Sequence, residues 1–277
     1  MNECIAWLQR QRKALPAESI LLDVGAFHGK FSEEALRAGL FSKSWLFEPN
    51  PKNLVVLRDK KFDRPYAIVK AAAGDSVAEV TFHFDRNLAT GSTLLYCTTS
   101  GWQCEGGIER VRVQQITLDA FAENLPAGEV VGLIKVDTQG ADLRVLKGAE
   151  RLIEQHRPWL VVEMIYVALY EGQSDPLAIL GWAAAHDYVL AGFFDDHYSS
   201  DGWLSYADAV FVPREVAVSF QPPFELRKNA AQDAEIAMLR KVCEERLQLI
   251  NHLHDEAGKR LDIIQALERE LRSIQKT

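Results

Sequence analysis

The sequence of 277 residues predicts an α/β fold, a Rossmann-like, doubly wound, mostly parallel sheet followed by a C-terminal α-helical coiled coil. Three observations support this prediction. Continuous apolar runs alternate with amphipathic helical stretches, as βαβ units require. A proline-containing stretch then interrupts the alternation. Beyond it, the chain lacks proline and carries apolar residues with a seven-residue period.

The first elements follow from apolar runs and helix-boundary residues. Residues 3–15 predict a short amphipathic helix that Pro16 ends. The run SILLDVG predicts a buried strand because its apolar residues do not alternate with polar ones. The helix SEEALRAGL follows, with Ser32 as its expected N-cap and Gly39 at its end. A second strand, SKSWLFEPN, precedes a helix that Pro51 opens.

The later elements continue the alternation. YAIVKAAAG predicts a third strand, and EVTFHFD has the period of a half-buried strand. The buried strand GLIKVDTQG is followed by one predicted helix, ADLRVLKGAERLIEQH, which Pro158 stops. WLVVEMI predicts a further buried strand. YVLAGFF and ADAVFVP predict two closing strands, antiparallel at the sheet edge.

The domain boundaries follow from the prolines and the seven-residue period. We expect a globular domain at residues 1–216, a linker at 217–226 and a coiled-coil helix at 227–277. With Ile236 at position a, every a position and most d positions are apolar. The helix could fold back on its own domain, but we expect it to form a homo-oligomer, since a long helix beyond a linker would otherwise bury little apolar surface.

Composition and charge exclude several classes of function. The formal charge of −8 argues against binding to nucleic acid or to an anionic membrane. The four cysteines lack metal-binding spacing, so we expect reduced thiols and no metal. Neither a signal peptide nor an apolar run long enough for a membrane span is found. We therefore expect a cytoplasmic protein.

The loop after the first strand predicts a site for a nucleoside. Asp23 precedes Gly25 and Gly29 at a strand-to-helix turn. The dinucleotide pattern G-x-G-x-x-G is missing because Ala26 and Phe27 follow Gly25, and no phosphate loop with G-K-[ST] occurs. The remaining features, an acid and a glycine turn, suit the amino-acid end of a nucleoside ligand.

Glu48 adds a second feature of such a site. It lies at the end of the second predicted strand, where a carboxylate can accept hydrogen bonds from both hydroxyls of a ribose. An NAD-dependent oxidoreductase would use the same acid, and this alternative stays open. The missing G-x-G favours S-adenosylmethionine over NAD.

Several segments together resemble the FkbM-type family of class I methyltransferases. These are LLDVGAFHGKFS, FEPNPKN, GSTLL, LIKVDTQGADLRVLKGAERLI, RPWLVVEM and DAVFVP, which span residues 20–213. The resemblance is most specific at residues 133–149. Phe27 stands where the family usually has Asn, and Gln139 where it usually has Glu.

The resemblance implies S-adenosylmethionine-dependent O-methylation, commonly of a sugar hydroxyl in a glycan or glycosylated small molecule. It implies that the first loop holds the methionine part, Glu48 the ribose and the turn after the third strand the adenine, while Asp137 faces the methyl group. The implied cofactor-binding set is Asp23, Gly25, Ala26, Phe27, Gly29, Glu48, Pro49, Ala73, Asp75 and Asp137.

A sugar hydroxyl is a poor nucleophile, so methyl transfer to it needs a base. The candidate catalytic residues are Asp137, Glu163 and His197, the two acids lying at or near the carboxyl ends of strands. Asp195 and Asp196 could bind a cation together with Asp137, but acid pairs in loops are usually solvated and we predict no metal.

The expected partner is a saccharide acceptor, with Trp102 and Tyr170 as candidate stacking platforms. The C-terminal helix could also dock the protein to a glycan-assembly complex. A third hypothesis is a non-catalytic coiled-coil assembly factor with a methyltransferase-like domain. The acids Glu48, Asp137 and Glu163 favour an enzyme, because a site without function would not keep such costly groups.

Overall fold

The computed structural model describes residues 2–85, 93–96 and 108–217. Trp102, most of the predicted linker and the predicted coiled coil at 227–277 lie outside these residues. The strands are β1 (Ile20–Val24), β2 (Lys43–Phe47), β3 (Tyr66–Val69), β4 (Ala72–Ala73), β5 (Ala78–Asp85), β6 (Ile108–Ile116), β7 (Val131–Val136), β8 (Trp159–Ile165), β9 (Tyr188–Tyr198) and β10 (Leu204–Pro213). The helices are α1 (Glu3–Arg10), α2 (Lys30–Arg37), α3 (Pro51–Asp59), α4 (Leu118–Ala122), α5 (Asp142–Lys147), α6 (Glu150–His156), α7 (Pro176–Ala185) and α8 (Arg214–Ala217).

A seven-stranded sheet forms the centre of the fold, in the order β3-β2-β1-β7-β8-β10-β9. Its first five strands are parallel, whereas β10 runs antiparallel to both of its neighbours. The doubly wound, mostly parallel sheet is therefore confirmed, and so are the two antiparallel closing strands. The chain leaves β1 toward β2 on one side and later returns to β7 on the other, which creates a switch point between these strands.

Helices cover both faces of the sheet, and this explains the continuous apolar runs. Every residue of β1, β7 and β8 is buried. Along β1, Leu22 faces a layer that contains α5, α6 and α7, whereas Leu21 faces α1 and α2. Alternate residues of one strand thus enter two separate cores, and both must be apolar.

A second, three-stranded sheet in the order β4-β6-β5 was not predicted. The segment YAIVKAAAG, expected to be one strand, is divided between the two sheets: β3 pairs with β2, and β4 pairs with β6. The small sheet matters for the site because Ala73 of β4 and Phe82 of β5 both line the cavity described below.

Two helix predictions need correction. The helix expected at 141–156 is two helices. At the break, the Gly148 carbonyl accepts from the Asp119 N–H at 2.9 Å, and Gly148 packs so closely on the carbonyl oxygen of Gly74 that a Cβ atom would overlap it. Ser32 is not an N-cap; Gly29 occupies that position, and the Ser32 hydroxyl donates to Asp23 Oδ2 at 2.6 Å. The helix α7 was also missed. Across residues 2–85, 93–96 and 108–217, no helix is long and apolar enough to cross a bilayer.

Candidate active site

A cavity of about 310 Å³ opens at the carboxyl ends of β1, β2, β7 and β8. This is the switch point of the sheet, where ligands of open α/β folds bind. Its volume lies at the lower end of the range found for small-molecule sites, about 300–1,000 Å³. The walls combine an apolar half and a half rich in carboxyl groups, and each half is described in turn.

The turn after β1 brings backbone to the cavity wall. Gly25 has a φ of 77°, and a Cβ atom there would overlap the carbonyl oxygen of Asp137. Phe27 also adopts the left-handed region, with a φ of 50°. Asn adopts this conformation more readily than an aromatic residue. Position 27 therefore carries backbone strain of about 1–3 kcal/mol.

Glu48 lies at the end of β2 with its side chain in the cavity wall. Its Oε1 accepts from the Asn50 N–H at 2.7 Å and its Oε2 from the Phe27 N–H at 2.8 Å. Burial raises the pKa of Glu48 to about 7, although these two donors and the Asn53 side chain favour its charged form. A carboxylate has about four acceptor positions, so these three donors leave room for a hydrogen bond from a ribose hydroxyl.

The apolar half of the cavity is formed by Ala71, Ala72, Ala73 and Phe82, next to Pro49. These side chains form an uncharged surface of the kind that suits a nucleobase. Asp75, predicted with Ala73 to lie near adenine, is exposed and outside the cavity lining. The chain turns away after Gly74, so the structure does not bring Asp75 to the site.

Three other predicted cofactor residues also lie outside the larger cavity. Gly29 packs under Leu46 and Phe62 and ends the turn. Asp23 is buried and lines a smaller cleft of about 200 Å³, as does Ala26. Burial raises the pKa of Asp23, and among the described residues its Oδ1 has no hydrogen-bond partner.

Asp137 lines both the cavity and the smaller cleft. Its Oδ2 accepts from Lys135 Nζ at 2.8 Å. Burial alone would raise the pKa of Asp137, but the Lys135 ammonium, together with hydrogen bonds from Gln139 and Glu163, lowers it. Burial would lower the pKa of Lys135. The net shift is upward, because Lys135 lies near the carboxyls of Asp137, Asp23 and Asp208. Asp137 is thus a carboxylate with a fixed negative charge.

Glu163 lies beside Asp137 in the cavity wall, and Gln139 bridges the two. The Gln139 amide nitrogen is 3.1 Å from Asp137 Oδ1 and 2.8 Å from Glu163 Oε2. Burial, the nearby Asp137, and then Asp142 and Asp208, raise the pKa of Glu163 well above its usual value. The surroundings therefore act on the two carboxyls in opposite directions, lowering the pKa of Asp137 and raising that of Glu163.

Several residues of this charged group were not predicted as site residues. Asp208 pairs with Glu163 across β10 and β8, and burial raises its pKa to about 7. Asp142 accepts from the Thr138 N–H at 2.8 Å and holds the turn after β7. Lys135 lies in an apolar strand. Their spacing in the sequence gives no signal, since only strand register brings them together.

His197 differs from the other catalytic candidates because it is exposed and does not line the cavity. Its ring stacks on Tyr206 at 4.5 Å, and Tyr206 does line the cavity. Asp195 accepts from the Glu3 and Cys4 N–H groups at the start of α1. Among the residues described, no three His, Cys, Asp or Glu side chains form a group that could hold a metal.

The sequence and the structure were compared with known proteins. A comparison with curated proteins finds no match. Similar solved structures include the methyltransferase FkbM from Methylobacillus flagellatus KT, 20% identical with a TM-score of 0.46, where the alignment covers 70% of this chain and 43% of that one. The chain thus spans less than half of that protein's length.

Two further structures are similar at lower identity. One is an rRNA methylase from Streptococcus thermophilus, at 10% identity and a TM-score of 0.41, covering 76% of this chain and 94% of that one. Another is TrmK of M. capricolum in complex with S-adenosylhomocysteine, at 13% identity and a TM-score of 0.40, covering 85% of each chain. The family model of the methyltransferase FkbM domain matches residues 23–190, more than half of the sequence. The protein belongs to the FkbM methyltransferase family.

Proposed function

We propose that the protein transfers the methyl group of S-adenosylmethionine to a hydroxyl of a sugar, in a glycan or a glycosylated small molecule. One observation carries the proposal. A single cavity holds a carboxylate suited to a ribose at one end and a pair of carboxyls at the other. The first group fits a nucleoside ligand, and the second fits removal of a proton from an acceptor.

The residues present fit S-adenosylmethionine. Glu48 would hold the ribose hydroxyls, and the surface of Ala71, Ala73 and Phe82 would contact the adenine. The close approach of Gly25 to β7 keeps side-chain atoms out of the space where the methionine part would lie. When bound, S-adenosylmethionine supplies a methyl group already activated by its sulfonium. The protein must then bind the acceptor, align it and remove its proton.

Glu163 is the base that this arrangement favours. A carboxylate whose pKa is raised accepts a proton more readily than one whose pKa is lowered, and burial with neighbouring carboxyls raises the pKa of Glu163. Asp137, held ionised by Lys135, is a weaker base. Its fixed charge instead favours a cationic group in the cavity. His197 would act only from outside the lining, and the contact with Tyr206 suggests a role at the entrance.

The acceptor side of the cavity offers aromatic surface. Tyr206 lines the cavity. Aromatic faces of this kind bind the apolar faces of sugars. Tyr170 is only 3% exposed and bonded to Gln139, so it is not available as the stacking platform that the sequence suggested.

The remaining proposals rest on sequence. The charge of −8 argues against nucleic acid as the acceptor. The cytoplasmic location, the homo-oligomer and the docking to a glycan-assembly complex also stay predictions. The last two depend on the seven-residue period at 227–277, outside the described residues.

The test is incubation of the full chain with methyl-labelled S-adenosylmethionine and one of three acceptor pools: cell-envelope glycan precursors, total RNA or total protein. We expect label in the glycan pool with wild type and a large loss with Glu163→Gln. The matched control is Glu154→Gln, on the exposed face of α6, which should keep the activity. Label in RNA or protein alone would refute the sugar acceptor.

A further inference from the structure

Gln139 lies between the two carboxyls on the acceptor side of the cavity. One amide nitrogen donates to Asp137 Oδ1 at 3.1 Å and to Glu163 Oε2 at 2.8 Å. An amide nitrogen carries two hydrogens, so both are used on carboxyl oxygens. The backbone at Gln139 has a φ of 54°, an uncommon conformation for a residue with a side chain, and it directs the amide into this position.

Tyr170 fixes which way the amide points. Its hydroxyl donates to Gln139 Oε1 at 2.8 Å, and the Tyr170 side chain is buried. The opposite orientation would turn the amide oxygen toward two carboxyls and lose both donors. The orientation therefore follows from the chemistry of the neighbours. Thr93 supports the backbone here, since its hydroxyl donates to the Gln139 carbonyl oxygen at 2.8 Å.

We infer that Gln139 is a positioning residue that holds Asp137 and Glu163 in one hydrogen-bonded unit and sets the protonation of Glu163. The inference rests on the proposed function, which assigns the acceptor's proton to Glu163. A glutamate at this position would place a third carboxyl against the pair and could not supply two donors.

The groups around Glu163 favour its protonated form, and the Gln139 amide opposes this effect. The groups that face it are the carboxyls of Asp137, Asp142 and Asp208, the ammonium of Lys135, and the phenols of Tyr170 and Tyr206. Burial and the three carboxyls favour the protonated form. An N–H donor favours the ionised form, because it bonds most strongly to a carboxylate. Removal of the amide should therefore make Glu163 harder to ionise.

The experiment is a ¹³C NMR titration of the side-chain carboxyls in the free, full-length protein, with the Glu163 signal assigned by its loss in Glu163→Gln. Gln139→Met keeps the length of the side chain and removes the amide. We expect the Glu163 midpoint to rise by about one pH unit or more. Tyr170→Phe, which releases the amide, should produce a smaller rise. Gln114→Met, at an exposed position of β6, should produce none.

An unchanged midpoint in folded Gln139→Met overturns the inference. If that variant does not fold, as judged by thermal unfolding, Tyr170→Phe decides in the same way. Calorimetry of S-adenosylhomocysteine binding on the same samples distinguishes a failure of the proposed function from a failure of the inference about Gln139. Absence of binding to the wild type overturns the proposed function, whereas the titration of the free protein still reports on Gln139.

Discussion

Glu48 offers a quantitative test of how the cavity holds its ligand. Its ionised carboxylate is the form that accepts a hydrogen bond from a ribose hydroxyl most strongly, and burial raises its pKa to about 7. At pH 5 only about 1% of the side chains would carry the charge. Because apparent affinity scales with the competent fraction, binding of S-adenosylhomocysteine should weaken on the order of 100-fold from pH 8 to pH 5, or about 2.7 kcal/mol.

Glu48 also makes folding stability depend on pH, with a sign opposite to that of its effect on ligand affinity. In the folded protein the pKa of Glu48 lies above its ordinary value of 4.5, so between pH 4.5 and about 7 the folded state binds more protons than the unfolded chain. Its contribution to the free energy of unfolding therefore falls as pH rises through this window. Glu48 itself therefore does not promote acid unfolding, and its titration weakens binding at low pH through the lost charge.

Calorimetry at pH 5, 6, 7 and 8 measures the effect directly. Glu48→Gln keeps the shape and removes the charge, so we expect weak binding with little dependence on pH. Glu79→Gln, at an exposed position of β5, should keep the wild-type slope. Equal affinities of the wild type at pH 5 and pH 8, or an unchanged slope in Glu48→Gln, would refute the assignment of the ribose to Glu48.

Two further predictions concern backbone and assembly. Gly25→Ala should lose S-adenosylhomocysteine binding by more than about tenfold and lower the melting temperature, because the new Cβ overlaps the Asp137 carbonyl. Its control, Gly181→Ala in the open space of α7, should stabilise the protein by about 0.5–1 kcal/mol, measured by thermal unfolding, and similar behaviour of the two variants would contradict the turn geometry. Deletion of residues 225–277 should lower the oligomeric state in light scattering and leave methyl transfer largely intact. Equal assembly sizes would show that this segment is not the assembly element.

The parallel sheet could be predicted because burial on both faces leaves a strong pattern. β1, β7 and β8 are apolar without alternation, and Asp137 after β7 and Glu163 near the end of β8 face the cavity. The turn after β1 was equally readable, since a glycine is needed where backbone passes backbone. These features depend on local sequence and on the rule that ligands bind at the carboxyl ends of parallel strands, so one sequence is enough to predict them.

The small sheet and the divided helix could not be predicted, because both depend on distant contacts. β6 has alternating burial and many charged residues, and it becomes a strand by pairing with β5. Gly148 looks like a glycine inside a helix until Gly74 is placed against it. Long-range packing therefore overrode a helical pattern that was locally convincing.

In the candidate site, too, residues marked by local sequence could be predicted, and residues brought together by distant contacts could not. Glu48, Asp137 and Glu163 were identified because each lies at or near a strand end and carries a carboxyl. Lys135 and Asp208 were missed, because each is a charged residue inside an apolar strand and acquires its role only through register. The bridging role of Gln139 depends on its positive φ and on Tyr170, thirty-one residues away in the chain.

The most direct test of the central claim, that this cavity is a methyl-donor site, is calorimetric titration of the full-length protein with S-adenosylhomocysteine and, separately, with NADH. The account predicts binding of one S-adenosylhomocysteine per chain, weakened by Glu48→Gln, and no heat of binding with NADH. Binding of NADH alone would contradict the account and favour an oxidoreductase.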